Sequence, residues 1–262
     1  MKLLKNIFTP LLIFLLISGC DYSGSEDTGT LRVLLTDAPV NAESVFVDIR
    51  EVKIHRSNDA DDGDSGWITI NNEPMIVDLL ELTNGKTEFL GEADLETGRY
   101  TQLRFILGDQ NELVIDGERI PLNTPSAQQS GLKLQLNTEI ESGRTYTLLL
   151  DFDASKSIVR AGQSGIYNLK PVIRTAQLEE SGAIQGNYEP LDTAAWVYAV
   201  AGSDTLRSTL ANEETGEFLL IGLPSGTYNL VAIPSNQQYS EVTVPGIQVI
   251  ASDTTNAGTI QF

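Results

Sequence analysis

Asp151 and Asp153 stand two apart in LDFDA (150–154), with Phe152 between them. In an extended strand, residues i and i+2 share a face, so the two carboxylates point the same way, about 7 Å apart. Like charges that close need a neutralising group. A cation would serve, with Asp37, beside Pro39, as a third ligand if the fold brings it near. Calcium is the oxygen-seeking ion such acids would suit, and no other cofactor is expected. The structural alternative is carboxylates that accept backbone N–H bonds at a strand end. Paired carboxylates also serve glycoside hydrolysis, but with 36 Asp and Glu in the chain some pair is inevitable.

Other chemistry is sparse, and no catalytic residue is assigned. His55 is the single histidine, and no Gly-x-Ser-x-Gly elbow accompanies it. No glycine-rich phosphate loop of standard spacing occurs. SNDADDGDSGW (57–67) suggests a calcium loop, but with Gly63 at the sixth position, Ala60 and Thr69 fall where side-chain oxygens are needed. Trp67 and Tyr198 are candidates for stacking on a sugar ring. Trp196 alternates with Val197 and is expected in the core.

Cys20 is the one cysteine, so no internal disulfide forms and a Cys/His zinc site is excluded. It follows a positive start (Lys2, Lys5) and an apolar run over Ile7–Ile17, too short to span a bilayer and right for a signal peptide. Ile17-Ser18-Gly19-Cys20 resembles the lipobox of bacterial lipoproteins. That resemblance implies a diacylglyceryl group on the Cys20 thiol, added fatty acid (palmitate), and cleavage before Cys20. Asp21–Gly29 then reads as a tether, roughly 15–18 Å as a coil and about 30 Å extended. Asp21 resembles an inner-membrane retention signal of enterobacteria. Other phyla read this position differently, so the leaflet stays open and the outer membrane is the favoured address.

The chain carries 17 Lys and Arg against 36 Asp and Glu, and removal of residues 1–19 takes two lysines, leaving 15 − 36 = −21. Nucleic acid and anionic surfaces are poor partners for such a chain. The membrane through the lipid, carbohydrate and envelope proteins remain.

Beyond residue 30 the hydrophobic period is two. Leu132, Leu134 and Leu136 alternate with Lys133, Gln135 and Asn137, and Leu103, Phe105 and Leu107 share a face. Asp116-Gly117 between apolar runs predicts a type I′ hairpin. In SVFVDIREVKIH the apolar parity switches near Arg50-Glu51, by a β-bulge or by one helical turn. Val77–Leu82, closed by Asn84-Gly85, is a short helix or a strand. EESG (179–182) reads as a joint. Residues 179–262 hold no lysine, one arginine (Arg207) and ten acids.

Residues 178–262 resemble the carboxypeptidase regulatory-like, or prealbumin-like, β-sandwich. The resemblance rests on GAIQGNYEP, AWVYAV and TGEFLLIGLPSGTYNLVA, with Phe218 and Leu220 on one face and a turn at Pro224-Ser225-Gly226 in which Gly226 takes φ > 0. It implies a spacer or binding module, some relatives binding carbohydrate. Related surface modules form Lys–Asn crosslinks, which this segment cannot do without a lysine. Residues 30–177 resemble the DUF4382 family of bacterial lipoproteins in LLTDAPV, VFVDIREVKIH, Trp67, VDLLELTNG, GRYTQLRFIL, LDFDA and LKPVIR. That family brings no established activity.

The expected architecture is all-β: signal peptide (1–19), acidic Gly/Ser tether (20–29), and two β-sandwich-like domains (30–177 and 178–262). The expected role is that of a non-enzymatic structural or binding module, lipid-anchored in the bacterial cell envelope. A carbohydrate-binding protein using the C-terminal sandwich is the alternative, and a hydrolase the disfavoured third.

Overall fold

Alternation becomes strand almost throughout residues 27–57, 65–124, 131–162 and 165–262, which this computed structural model describes. Cys20, the tether up to residue 26, and the loop residues Asn58 to Gly63 lie outside the described residues.

The order is β1 (Thr28–Ala38), β2 (Ser44–His55), β3 (Ile68–Asn71), β4 (Met75–Asp78), a 3₁₀ turn (Leu79–Leu82), β5 (Glu88–Glu96), β6 (Gly98–Leu107), β7 (Glu112–Ile115) and β8 (Glu118–Asn123). There follow β9 (Leu132–Ile140), β10 (Thr145–Asp153), α1 (Ala154–Ser157), β11 (Ile158–Arg160), β12 (Tyr167–Leu169) and β13 (Ile173–Gln177). They form a sheet β13-β10-β1-β5 and a larger one, β11-β12-β8-β7-β2-β6-β9, with β3 and β4 paired to β2. After a 3₁₀ turn (Leu178–Glu180) come β14 (Ser181–Glu189), β15 (Ala195–Ala201), β16 (Asp204–Leu210), β17 (Glu217–Pro224), β18 (Gly226–Pro234), β19 (Val242–Val249) and β20 (Thr254–Gln261). These make the sheets β17-β14-β20 and β16-β15-β18-β19.

The fold is all-β and sandwich-like, with two hydrophobic cores. In the first, Leu31, Val33 and Leu35 of β1 meet Val45, Val47 and Ile49 of β2 around Tyr100, Phe105 and Phe152. In the second, Tyr188, Phe218 and Leu220 meet Val197, Ala199 and Leu230. Each fully buried Leu or Phe contributes about 1.5–3 kcal/mol.

The parity switch in β2 is a bulge, not a helical turn. Pairing with β6 steps from Ile49–Leu107 to Glu51–Ile106 and leaves Arg50 unmatched. Asp116 (φ 53°) and Gly117 (φ 75°) are both left-handed, as a type I′ turn requires. Val77–Leu82 divides: Asp78 ends β4 and caps the 3₁₀ turn by accepting the Leu80 N–H.

Two expectations are corrected. Gly226 simply opens β18, whereas the left-handed glycine is Gly222, at φ 72° inside β17. Trp196 is not a core residue. The core side of β15 is Ala195, Val197 and Ala199, while Trp196 and Tyr198 lie half-buried on the other face. The reason is volume: the opposing strands fill this core with Tyr188, Phe218 and Leu220, so β15 contributes its small residues.

Candidate functional site

Strand β10 is buried on both faces. Leu148, Leu150 and Phe152 enter the first core; Leu149, Asp151 and Asp153 turn the other way and are buried too. The cover comes from the second sandwich, whose edge strands β16 and β17 lie against β1 and β13. The approach is close enough to demand glycine. A Cβ on Gly222 would fall 2.7 Å from Leu149 Cδ2, besides needing the left-handed backbone.

Arg207 of β16 reaches across this interface. Its Nη1 lies 3.1 Å from Asp151 Oδ2, and Arg174 on β13 lies 3.6 Å from the same oxygen. The Arg207 guanidinium also donates to the backbone carbonyls of Ile221 and Leu206. Asp153 is held by Lys156 Nζ (2.8 Å), Arg174 Nη1 (3.1 Å), the Ser155 hydroxyl and the Lys156 N–H. Asp37, on β1 opposite Phe152, accepts the Ala154 N–H through Oδ1. Its Oδ2 is buried without a hydrogen-bond partner.

These environments set three different protonation preferences. Burial, opposed by the Ala154 N–H and reinforced by the charges of Asp151 and Asp153, holds Asp37 well above the usual carboxyl range. Burial also raises Asp151, against Arg207 and Arg174. Burial pushes Asp153 up, but its hydrogen bonds from Lys156, Ser155 and Arg174 outweigh that and leave it below the usual range. The fold thus brings Asp37 to the Asp151–Asp153 pair, and the neutralising groups beside them are guanidinium and ammonium side chains. Among the described residues, no group of three or more His, Cys, Asp or Glu side chains is placed to hold a metal ion.

A second contact secures the interface. Asn84 (φ 58°) and Gly85 (φ 75°) follow the 3₁₀ turn, whose Leu82 carbonyl, with that of Lys86, accepts the Thr36 hydroxyl of β1. The Asn84 amide pairs with edge strand β17: Oδ1 accepts the Leu219 N–H (2.7 Å) and Nδ2 donates to the Glu217 carbonyl (3.1 Å). The Asn84 N–H donates to Thr209 Oγ1 on β16. One side-chain amide therefore stands in for a peptide unit of a neighbouring strand.

The remaining candidates lie elsewhere. Trp67 is half-buried, with the Arg104 guanidinium 4.2 Å from its ring centre and the His55 ring 5.1 Å away, so it offers no open stacking face on that side. His55 accepts the Ser57 N–H through Nδ1 and makes none of the contacts of the three aspartates. Tyr198 faces the joint, its hydroxyl pushed up by burial and then by Asp153. The cavity between Asp37, Asp151, Arg207 and Thr209 measures about 10 Å³, room for at most one water. The arrangement is an ion-pair lock with no space for a substrate.

Sequence reasoning did not find Arg174, Arg207, Asn84 or Thr209. A signal for Arg207 was present: it is the only basic residue after position 178.

Comparison with known proteins adds the following. No curated protein matches the chain. Among solved structures, the Bacillus anthracis TIE protein is 14% identical over 90% of this chain, with a TM-score of 0.23, and this chain spans 34% of that protein's length. The minor pilin GBS52 of Streptococcus agalactiae is 12% identical, covering 88% of this chain and 94% of that one, at TM-score 0.22. The shaft pilin SpaA of Lactobacillus rhamnosus GG is 11% identical, covering 89% and 98%, at TM-score 0.25. The family described as "Domain of unknown function (DUF4382)" matches residues 28–171, more than half of the sequence, and the chain belongs to that family.

Proposed function

We propose that the protein is a non-enzymatic structural module of the bacterial cell envelope, anchored through a lipid on Cys20, in which two sandwiches act as one stiff body. The observation that carries this reading is the Asp151–Arg207 contact. The only cation of the last 84 residues is buried against a carboxylate of the other sandwich, where it joins the halves and can do nothing else. The lipobox-like Ile17–Cys20 and the acidic Asp21–Gly29 segment support the anchor. The resemblance of residues 178–262 to the carboxypeptidase regulatory-like sandwich supports a spacer role. The small cavity at Asp37 and Asp151 offers a hydrolase no place for substrate beside these aspartates.

Small-angle scattering tests the stiffness. The chain should give a single narrow envelope, and the double variant Arg207→Met/Asn84→Gly a broader one. Equal flexibility of both would overturn the reading. Metabolic fatty-acid labelling tests the anchor separately, since Cys20→Ala should abolish it. The alternative, carbohydrate binding by the C-terminal sandwich, draws on the half-buried Trp196, on the face of β15 that turns away from its core. A glycan array probed with Trp196→Ala beside the parent tests it.

A further inference from the structure

We propose that Asn84-Gly85 is a self-modification site: the closed joint preserves the Asn84 amide, and parting of the sandwiches lets it deamidate, which makes the separation irreversible. The proposal rests on the stiff-joint reading and adds to it a chemical step that stiffness alone does not require.

The pair is the only Asn-Gly in the chain. Glycine after asparagine is the neighbour most open to ring closure, because no Cβ shields the next nitrogen. The joint itself demands this glycine. Gly85 is left-handed (φ 75°), and a Cβ on it would fall 2.5 Å from Leu219 Cδ2 of β17. The contact that holds the sandwiches together therefore has a labile amide at its centre.

The step is intramolecular. The Gly85 nitrogen attacks Asn84 Cγ and a C–N bond forms. Its proton passes through solvent to Nδ2, the Cγ–Nδ2 bond breaks, and ammonia leaves. Water then opens the five-membered imide at either carbonyl. One opening gives aspartate at position 84. The other gives isoaspartate, in which the main chain runs through Cγ and the old backbone carbonyl becomes the free carboxylate. One water is consumed and one ammonia released, with no change of oxidation state.

The closed joint blocks this step twice. Asn84, at φ 58°, is left-handed, a region where ψ is about +47°. In an L residue that backbone sets the next nitrogen nearly opposite Cβ across the Cα–C bond, whereas the ring needs the two eclipsed. The amide is also tethered. Oδ1 accepts the Leu219 N–H, Nδ2 donates to the Glu217 carbonyl, and the Asn84 N–H donates to Thr209 Oγ1. The first two bonds fix Cγ against β17 and the third fixes the backbone. Each rotation that ring closure needs must break a contact with the second sandwich, so the reaction waits for the joint to open. Neither product retains an Nδ2 to donate to Glu217. An aspartate carboxylate there would set acceptor against acceptor, and the contact does not re-form.

The test uses the chain with Cys20→Ser, held at mildly alkaline pH and sampled by mass spectrometry of the peptide containing Asn84. The same chain unfolded in urea gives the unprotected rate. The folded parent should convert at least about a hundredfold more slowly. Arg207→Met should convert at least about tenfold faster than the parent. Thr209→Val is milder, removing only the acceptor of the Asn84 N–H, and should convert at least about threefold faster. The deamidated chain, separated by anion exchange, should give the broad scattering envelope of an opened joint. A folded parent that converts as fast as the unfolded chain overturns the proposal. So do variants that convert no faster than the parent, and a deamidated chain with the parent's narrow envelope. A broad envelope in the fresh parent, measured before any conversion, overturns the stiff joint and this proposal with it.

Discussion

Asp37, Asp151 and Asp153 are chemically identical and sit within one cluster, yet they respond to acid in opposite senses. Asp37 binds a proton more tightly in the folded chain than in the unfolded one. Its contribution to stability is therefore fully present below the ordinary value of 3.8 and is lost as pH rises through the raised folded value. Asp153 is the reverse: its contribution is present above 3.8 and lost as pH falls through its lowered value. Asp37→Asn keeps the acceptor for Ala154 and removes the buried ionisation. Urea melts should show the variant at least as stable as the parent at neutral pH, with the advantage vanishing toward pH 4. A variant less stable at pH 7 than at pH 4, relative to the parent, would contradict the assignment. Arg207 tests the pair itself. Arg207→Met leaves Asp151 with only the more distant Arg174 and should cost about 3–5 kcal/mol. Arg207→Met/Asp151→Leu removes both charges and should recover most of that loss in the same melts.

At the scale of elements, the edges of the second sandwich matter most. Strands β16 and β17 end their sheets at the joint, and side chains rather than another strand take up part of their free backbone: the Asn84 amide at Glu217 and Leu219, and Arg207 at Leu206 and Ile221. Asn84→Gly preserves the left-handed backbone and deletes only the amide, so its cost isolates the clamp. About 1–3 kcal/mol is expected, with faster hydrogen exchange at the Leu219 N–H. Several elements were legible in the sequence because their cause is local. Asp116-Gly117 supplies both left-handed residues of its turn, and the parity change at Arg50 is itself the bulge. Trp196 was misjudged because hydrophobic size is a poor guide when the opposing sheet supplies the bulk. The joint was least legible. Asp151 and Arg207 lie 56 positions apart, and no periodicity within β10 says that its second face is covered.

Taken whole, the molecule has two cores and one interface built from buried charge. Each sandwich shields groups of the other that would be costly to expose: Leu149 and Asp151 on one side, Arg207 and the β17 edge on the other. Unfolding should therefore be a single calorimetric transition in the parent. Asn84→Gly/Arg207→Met should split it into two, the measure being the ratio of calorimetric to van't Hoff enthalpy.

The amide of Asn84 has a consequence beyond stability. An open sheet edge invites the strand of another chain, and β-rich proteins grow into fibres and swapped dimers by that route. Here the rung between Glu217 and Leu219 is already taken by a side chain too short to be extended or copied. It terminates the ladder on this side much as a chain-stopper ends a polymer. Recruitment of a foreign strand at this rung of β17 is blocked for as long as the two sandwiches stay together, so the closure of the joint and the protection of this edge rest on the same residue.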